Sequence, residues 1–298
     1  MLELLSEQSF NWSQTTTYLV TGATGHIGSM VVERLIRGGD RPRIFVRNAE
    51  KARARFGDRV EIFTGDLADV ATLATALTGS DAVLLINIGH DLAARDEAAA
   101  KAATRAGVKY LVKLSSSDAR EQVGTGVWHA AGESAIRATG IPFTFVLPTG
   151  FMVNALFWAE SIRKEGVVRS STGDGKIPFI HSDDIANVVT RALTSRQHVG
   201  ESLQITGPEA LSYAEMTAKI GAAIASPLRF ELISDEEERR QMMSVGEPEL
   251  SIEAHLSIYR AIRAGRLADV ENTVERILGR KPLSFDQWAR ENAGAFID

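Results

Sequence analysis

The chain has 298 residues, 44% of them hydrophobic, which is enough for one large domain or for one domain with a small appendage. Its formal net charge is −5 and its basic residues are spread along the chain, which argues against nucleic acid as the main ligand. The absence of cysteine excludes disulfides, thiolate catalysis and cysteine-ligated metals, and it suits a reducing cytoplasm, where we expect the protein to act.

Residues 1–15 are polar and lack the basic and apolar parts of a signal peptide, so we expect them to form an N-terminal arm. No apolar run approaches the roughly 20 residues that a membrane-spanning helix needs. We therefore predict a chain without a membrane span.

A glycine-rich turn follows the first predicted strand, residues 17–20, and leads into an amphipathic helix pattern. Gly22 would permit the tight turn, Gly25 the close approach of phosphates and Gly28 close packing of the helix on the strand. The backbone N–H groups of such a turn meet the positive end of the helix dipole, which favours a bound diphosphate. The pattern predicts a nucleotide-binding site.

Strand and helix patterns then alternate as far as residue 150, with strands predicted at residues 43–46, 60–64, 81–88, 109–114 and 142–147. This alternation indicates an α/β fold, with a doubly wound parallel sheet of the Rossmann type over residues 16–150. Beyond it we predict a helix over residues 151–164, a helix that begins at a cap at Asp184 and runs to residue 193, strands at 202–205 and 228–232, and mostly helix after residue 235. We expect residues 151–298 to form a small, mainly helical lobe that caps the substrate and is intertwined with the sheet rather than independent.

Ligands of doubly wound sheets bind at the carboxyl ends of the strands, so the residues at those ends are our candidates for cofactor contacts. They are Gly22, Thr24, Gly25, His26, Ile27, Gly28, Arg47, Asn48, Lys51, Asp66, Leu67, Asn87, Ser115, Pro148, Gly150 and Phe151.

Arg47 ends the second predicted strand, with Asn48 and Lys51 close behind it. A carboxylate here would bind the ribose 2′-hydroxyl of NAD, whereas a planar, charged arginine suits a 2′-phosphate. We therefore predict NADP(H) in preference to NAD, the alternative being that Arg47 is a surface residue at a helix start. Asp66 would lie near the adenine or, equally, cap a turn.

Several segments resemble one known family. Val-Thr-Gly-Ala-Thr-Gly-His-Ile-Gly at 20–28, Val-Arg-Asn at 46–48 and Gly-Asp-Leu at 65–67 are similar to atypical short-chain dehydrogenases. Pro-Thr-Gly-Phe-Met-Val-Asn at 148–154, His-Ser-Asp-Asp-Ile-Ala at 181–186 and Ile-Thr-Gly-Pro at 205–208 narrow the resemblance to the NmrA-like group, over about residues 17–290. That group includes NADPH-dependent quinone and triphenylmethane-dye reductases and NADP-sensing regulators.

The resemblance also implies where the catalytic residues should be. Short-chain dehydrogenases usually carry Tyr and Lys four residues apart on the helix after the fifth strand, but Thr125 and His129 stand at those positions here. Threonine is a poor acid, whereas a histidine with an ordinary pKa near 6.5 titrates close to neutral pH. We therefore expect His129 to bind the ribose or relay a proton, unless it is structural. Glu133, one turn later, would orient it or, equally, form a surface pair with Arg137. Our catalytic candidates are His129, Thr125 and Ser115.

The acceptor pocket is predicted from the segment after the sixth strand and from residues near it. Its candidates are Phe151, Met152, Asn154, Phe157, Trp158, Phe179 and His181. A quinone-like acceptor suits the missing Tyr/Lys pair, because its product oxyanions are relatively stable and water can protonate them. No metal-ligand spacing is visible.

Our preferred hypothesis is an NAD(P)H-dependent reductase that transfers a hydride to a small, conjugated or aromatic, quinone-like or enone-like acceptor. We expect a monomer or homodimer that binds a small apolar molecule and no nucleic acid. Two alternatives stay open: an NADP-binding redox sensor that acts through a protein partner, and an enzyme of cofactor-assisted rearrangement.

Overall fold

A computed structural model describes residues 16–297, so the arm predicted over residues 1–15 lies outside the described residues. The strands are β1 (Tyr18–Thr21), β2 (Arg43–Val46), β3 (Glu61–Thr64), β4 (Ala82–Ile86), β5 (Tyr110–Leu114), β6 (Phe143–Pro148), β7 (Val167–Ser170), β8 (Ser202–Ile205) and β9 (Arg229–Leu232). Seven of them form one parallel sheet in the order β3-β2-β1-β4-β5-β6-β8, and β7 pairs with β9 in a separate parallel sheet.

Helices connect the strands and cover the sheet. They are α1 (His26–Arg37), α2 (Ala49–Phe56), α3 (Val70–Leu77), α4 (Leu92–Arg105), α5 (Asp118–Glu121), α6 (Gly126–Ala138), α7 (Ala159–Glu165), α8 (Ser182–Ser195), α9 (Tyr213–Ala223), α10 (Asp235–Ser244), α11 (Glu249–Arg263), α12 (Thr273–Leu278) and α13 (Phe285–Glu291). Short 3₁₀ helices lie at Gly57–Arg59, Met152–Trp158 and Ala293–Ala295.

The main sheet has a hydrophobic core on each face, because successive strand residues point to opposite sides. Val20 of β1 lies in the core that includes residues of α1 and α8, whereas its neighbour Leu19 lies in the core that includes residues of α3, α4 and α6. Helices therefore cover both faces of a parallel sheet, which confirms the predicted doubly wound α/β fold. Within residues 16–297, no helix combines the length and apolarity needed to cross a membrane.

The chain after residue 150 contributes to both parts of the molecule. β8 completes the main sheet beside β6, and α8 packs on α1. The rest builds a third core, in which Met152, Tyr213, Phe285 and Trp288 are buried. Residue 150 as the boundary between the two parts stays a prediction.

Two local predictions differ from the structure, and one strand was not predicted. The segment 151–164, predicted as one helix, is a 3₁₀ helix followed by α7, and β7 was not predicted because its four residues lie close to a turn. Asp184 does not cap α8: the ring of His181 accepts the bond from the Asp183 N–H instead. Asp184 is buried, where it accepts a bond from the Leu283 N–H and pairs with Arg280.

Candidate cofactor and acceptor site

One cavity of about 1440 Å³ lies along the carboxyl ends of β1 to β6 and continues into the C-terminal lobe. Pockets for single small ligands are about 300–1,000 Å³, so this volume fits a dinucleotide together with a second small molecule. We call the part formed by the glycine turn and the ends of β2 to β5 the cofactor end. The acceptor end is the part formed by the lobe, including Trp158, Phe179, Tyr213 and Tyr259.

Most of the site residues that we predicted from the sequence line this cavity. They are Gly22, Thr24, Gly25, His26, Ile27, Gly28, Arg47, Lys51, Asp66, Leu67, Asn87, Ser115, Thr125, His129, Pro148, Gly150, Phe151, Asn154, Phe157, Trp158 and Phe179.

Three predicted site residues do not line the cavity, and each has a structural role. Asn48 caps α2, its Oδ1 accepting a bond from the Lys51 N–H at 2.8 Å. Met152 is buried in the core of the lobe. His181 caps α8, and its Nε2 lies 3.2 Å from Oε2 of Glu291. Their assignment to the site stays a prediction from the sequence.

The glycine turn forms as its spacing predicts. A Cβ atom at position 28 would lie 2.2 Å from the carbonyl oxygen of Gly22, so only glycine lets α1 approach β1 this closely. The start of α1 has no side-chain cap and no acidic residue in its first turn. Its first N–H groups are therefore open to an anion in the cavity.

The side chain of His26 forms a hydrogen bond within the protein. Its Nε2 lies 2.7 Å from Oγ of Ser182 at the start of α8. Burial, with the positive charge of Arg55 nearby, lowers the pKa of His26. The bond ties the glycine turn to a helix from the far part of the chain.

The cations around the cavity differ in their partners. Arg95, Lys164 and Arg169 each pair with a carboxylate four residues away along the chain. Arg47 and Lys51 line the cavity, are exposed, and have no ion pair with any described residue. These two side chains at the end of β2 are therefore available to an anionic group of the cofactor.

The end of β5 contains a buried polar cluster. The hydroxyl of Ser115 donates to Oε1 of Glu133 at 2.5 Å, and burial raises the pKa of Glu133. Nδ1 of His129 is buried without a hydrogen-bond partner among the described residues. Burial, with Lys113 nearby, lowers the pKa of His129 to about 3. The predicted titration of His129 near neutral pH is therefore wrong: its ring is neutral there, and Glu133 bonds Ser115 instead.

Asn87 at the end of β4 is oriented by groups beneath the cavity. Its Nδ2 donates to Oδ1 of Asp96 at 3.0 Å and to the carbonyl of Leu92 at 3.2 Å. Asp96 in turn forms an ion pair with Lys113, and both side chains are fully buried. The amide oxygen of Asn87 is thus the atom left to accept a bond from a ligand.

The acceptor end has an aromatic wall centred on Tyr213. Trp158 lies 5.0 Å from its ring, Phe179 5.8 Å and Tyr259 6.0 Å, centroid to centroid, in tilted or edge-on arrangements. Phe157 also lines the cavity and is 87% exposed. Such a wall favours flat, conjugated molecules.

Sequence reasoning missed several cavity residues. Asp118 follows Ser115 by three residues at the same strand end. The expectation that ligands bind at the carboxyl ends of strands could therefore have identified it. Tyr213, Glu238 and Tyr259 come from α9, α10 and α11, and no sequence pattern places those helices against the sheet.

The residues present fit a nicotinamide dinucleotide phosphate. The uncapped start of α1 suits the diphosphate, Arg47 and Lys51 suit a 2′-phosphate, and the unpartnered Nδ1 of His129 suits a ribose hydroxyl. Among the described residues, no cluster of three or more His, Asp or Glu side chains has the arrangement of a metal site.

The sequence matches the NmrA-like family over residues 14–288. A (4-alkanoyl-5-oxo-2,5-dihydrofuran-3-yl)methyl phosphate reductase from Streptomyces griseus is 38% identical, over 93% of this chain and 98% of that one. An NAD(P)H azoreductase from Xenophilus azovorans is 36% identical over the same shares. Triphenylmethane reductase of Citrobacter sp., solved with NADP(H), superposes with a TM-score of 0.82 at 25% identity, over 93% of this chain and 99% of that one.

An NADPH-dependent quinone oxidoreductase from Escherichia coli, solved with NADPH, has a TM-score of 0.84 at 24% identity, over 92% of this chain and 99% of that one. Together these findings confirm the predicted family, fold, oxidoreductase class and nicotinamide cofactor. The chain belongs to the NmrA-like family.

Proposed function

We propose that the protein is an NADPH-dependent reductase that transfers a hydride to a small, conjugated, quinone-like or enone-like acceptor. The observation that carries this proposal is the single cavity that joins the glycine turn to an aromatic wall. A hydride passes only between groups in contact, so both molecules must share one space from which water is excluded.

NADPH is preferred to NADH because Arg47 and Lys51 have no ion-pair partner among the described residues. Two free cations at the end of β2 match the charge of a 2′-phosphate, whereas a ribose hydroxyl would leave them unneutralised. We assign Ser115, Thr125 and His129 to the nicotinamide end of the cofactor, with neutral His129 as a ribose contact rather than an acid.

The acceptor end supports a flat substrate. Trp158, Phe179 and Tyr213 offer ring faces and edges, and Asn154 offers an amide that can orient a carbonyl. The relatives named above reduce an unsaturated lactone phosphate, azo compounds, triphenylmethane dyes and quinones, all of which are conjugated.

The test is turnover with defined acceptors. We expect the purified protein to oxidise NADPH in the presence of naphthoquinones, enones or azo dyes, faster than a control without protein and faster than with NADH. Tight NADPH binding without turnover on any of these acceptors would contradict the proposal and favour an NADP-sensing protein.

We further propose that the protein acts as a monomer or homodimer in the cytoplasm, without nucleic acid. The absence of cysteine suits a reducing compartment, and the negative net charge disfavours binding to phosphate backbones. Size-exclusion chromatography with light scattering, with and without NADPH, checks the oligomeric state.

A further inference from the structure

A neutral conjugated acceptor needs a proton as well as a hydride, and the chain lacks the tyrosine that usually supplies it in short-chain dehydrogenases. Water can protonate the product oxyanion once it reaches solvent, but in a cavity from which water is excluded the anion forms faster where the protein itself donates the proton. The carboxyl groups of the cavity are the natural place to look for a replacement. Six described residues contribute one: Asp66, Asp118, Glu160, Glu165, Glu238 and Glu247.

Five of these carboxylates accept a bond from a nitrogen. The partners are the Ala68 N–H for Asp66, Lys164 for Glu160, Arg169 for Glu165, the Ser171 N–H for Glu238 and His255 for Glu247. Asp118 differs from these five. Within residues 16–297, the only hydrogen-bond partner of its carboxyl group is the hydroxyl of Ser116, which lies 3.1 Å from its Oδ2. Because no N–H group or cation of a described residue bonds to its carboxyl group, Asp118 is the cavity carboxyl whose ionised form is stabilised least.

The backbone fixes the position of Asp118. It is the first residue of α5, at the end of β5 that also carries Ser115. Its carbonyl accepts a bond from the Val123 N–H at 3.3 Å. A Cβ atom at Gly126 would lie 2.1 Å from the carbonyl carbon of Asp118, so the start of α6 packs directly on this backbone. The side chain is thus held by a rigid support, as a proton donor requires.

Asp118 lines the cavity and is related to residues of both of its ends. On the cofactor side, Ser115 precedes it at the end of β5, and Thr125, just before α6, and His129 of α6 also line the cavity. On the acceptor side, the charge of Asp118 contributes to raising the pKa of Tyr213 of α9. Tyr259 of α11 and Glu238 of α10 also line the cavity, and both contribute to raising the pKa of Tyr213.

The environment keeps Asp118 partly protonated. Burial raises its pKa to about 6, against the opposing effect of the Ser116 hydroxyl. A carboxylic acid with this pKa holds a proton in part of the molecules near neutral pH and gives it up readily, which is the requirement for general acid catalysis.

We propose that Asp118 donates the proton to the reduced acceptor, an inference that rests on the proposed function. A quinone takes the hydride on one carbonyl oxygen, the ring becomes aromatic, and the electron pair of the second C=O bond moves to the second oxygen. That oxygen then forms an O–H bond with the proton of Asp118, whose O–H bond breaks to leave a carboxylate. Solvent reprotonates the carboxylate, and the products are a hydroquinone and NADP⁺.

The test compares two acceptors in the wild type and in Asp118→Asn. A naphthoquinone needs a hydride and a proton, whereas a cationic triphenylmethane dye needs only a hydride at its central carbon to become neutral. We expect Asp118→Asn to lower kcat with the quinone by about 100-fold, the scale of general acid catalysis. Turnover of the dye and the Kd for NADPH should stay close to those of the wild type, which also shows that the variant folds.

The pH profile gives a second readout. Since the protonated carboxyl is the active form, kcat of the wild type with the quinone should fall as pH rises through about 6. This decrease is the pH limb, and it should be missing in Asp118→Asn. Glu121→Gln, a surface carboxylate of the same short helix that pairs with Arg266, is the control and should keep the limb.

Two results would overturn the assignment: equal losses with both acceptors, or quinone turnover that is insensitive to Asp118→Asn. If the dye is not turned over, the pH limb with the quinone decides in the same way. A wild type that binds NADPH but reduces neither acceptor would contradict the proposed function itself, so the two failures are distinguishable.

Discussion

The cofactor end and the acceptor end of the cavity are built in different ways. The cofactor end uses residues that directly follow β1 to β5, and its main feature is a set of unused donors, the start of α1 with Arg47 and Lys51. The acceptor end uses side chains from α9 to α11 and the segment after β6, and its cations are already paired with carboxylates.

Because of this difference, the cofactor end recognises its ligand by charge and the acceptor end recognises its ligand by shape. Free cations and N–H groups select an anionic ligand strongly, so the cofactor end should tolerate few replacements. Aromatic rings such as those of Trp158 and Tyr213 favour flat ligands in general but do not distinguish one flat ligand from another. Substitutions at the two ends should therefore have different effects, and the following predictions run from the largest effect to the smallest.

Breaking the buried ion pair under the cofactor end should have the largest effect. Lys113→Met leaves the Asp96 carboxylate buried without its cation, so we expect it to lower the free energy of unfolding by about 3–5 kcal/mol. Urea unfolding measures this loss. The double variant Lys113→Met with Asp96→Leu should recover part of the stability, and Lys101→Met, in an exposed pair with Glu97, should cost less than about 1 kcal/mol. A small loss for Lys113→Met would mean that this end is not rigidly supported.

Reversing the charge at the end of β2 should affect the affinity for NADPH but not the affinity for NADH. Arg47→Asp removes a charge-assisted bond to the 2′-phosphate, so we expect NADPH binding to weaken by about 1–3 kcal/mol while NADH binding is spared. Calorimetric titration with both cofactors measures this. Arg53→Asp, on α2 but outside the cavity, is the matched control. Equal NADH and NADPH affinities in the wild type would contradict the role of Arg47.

Protonation of His129 should destabilise the region where the two ends meet. Its pKa in the folded protein, about 3, is below the ordinary value near 6.5, so the unfolded chain binds the proton more readily. The resulting stability is complete above about pH 6.5 and is lost as pH falls towards 3, by at most about 1.4 kcal/mol per pH unit.

The measurement for His129 is urea unfolding of the wild type and of His129→Gln at pH 7 and pH 5. The wild type should lose up to about 2 kcal/mol more than the variant between these values. The comparison removes the contributions of carboxyl groups with raised pKa values, such as Asp118 and Glu133, which both proteins share. Equal losses in the two proteins would show that His129 is not buried in its neutral form.

The smallest effect is expected at an exposed ring of the acceptor end. Phe157 is 87% exposed, so Phe157→Ala should leave stability and NADPH affinity unchanged. Loss of the apolar area that a bound acceptor covers should raise KM for a naphthoquinone about fivefold, equivalent to about 1 kcal/mol. Steady-state kinetics check this, with Val199→Ala as an exposed control outside the cavity. An unchanged KM would exclude Phe157 from the acceptor end.

The sequence predicts the cofactor end better than the acceptor end, for a physical reason. Glycine spacing and strand ends are local patterns, and parallel strands bring all their carboxyl ends to one edge, so Gly22, Arg47 and Ser115 are found without coordinates. Tyr213 and Tyr259 meet only through packing between helices distant in the chain. The charge state of His129 also follows from its burial, which no local pattern reveals.

The position of β8 at the edge of the main sheet has a consequence for how such a protein can change its substrate. The chain leaves the sheet after β6, builds part of the lobe, and returns to place β8 beside β6 before building the rest. Exchanging the lobe as one block would expose the backbone of β6 as a new edge, which invites aggregation. We therefore expect single substitutions on the lobe helices to change specificity in this architecture with less damage to the sheet than exchange of the whole lobe.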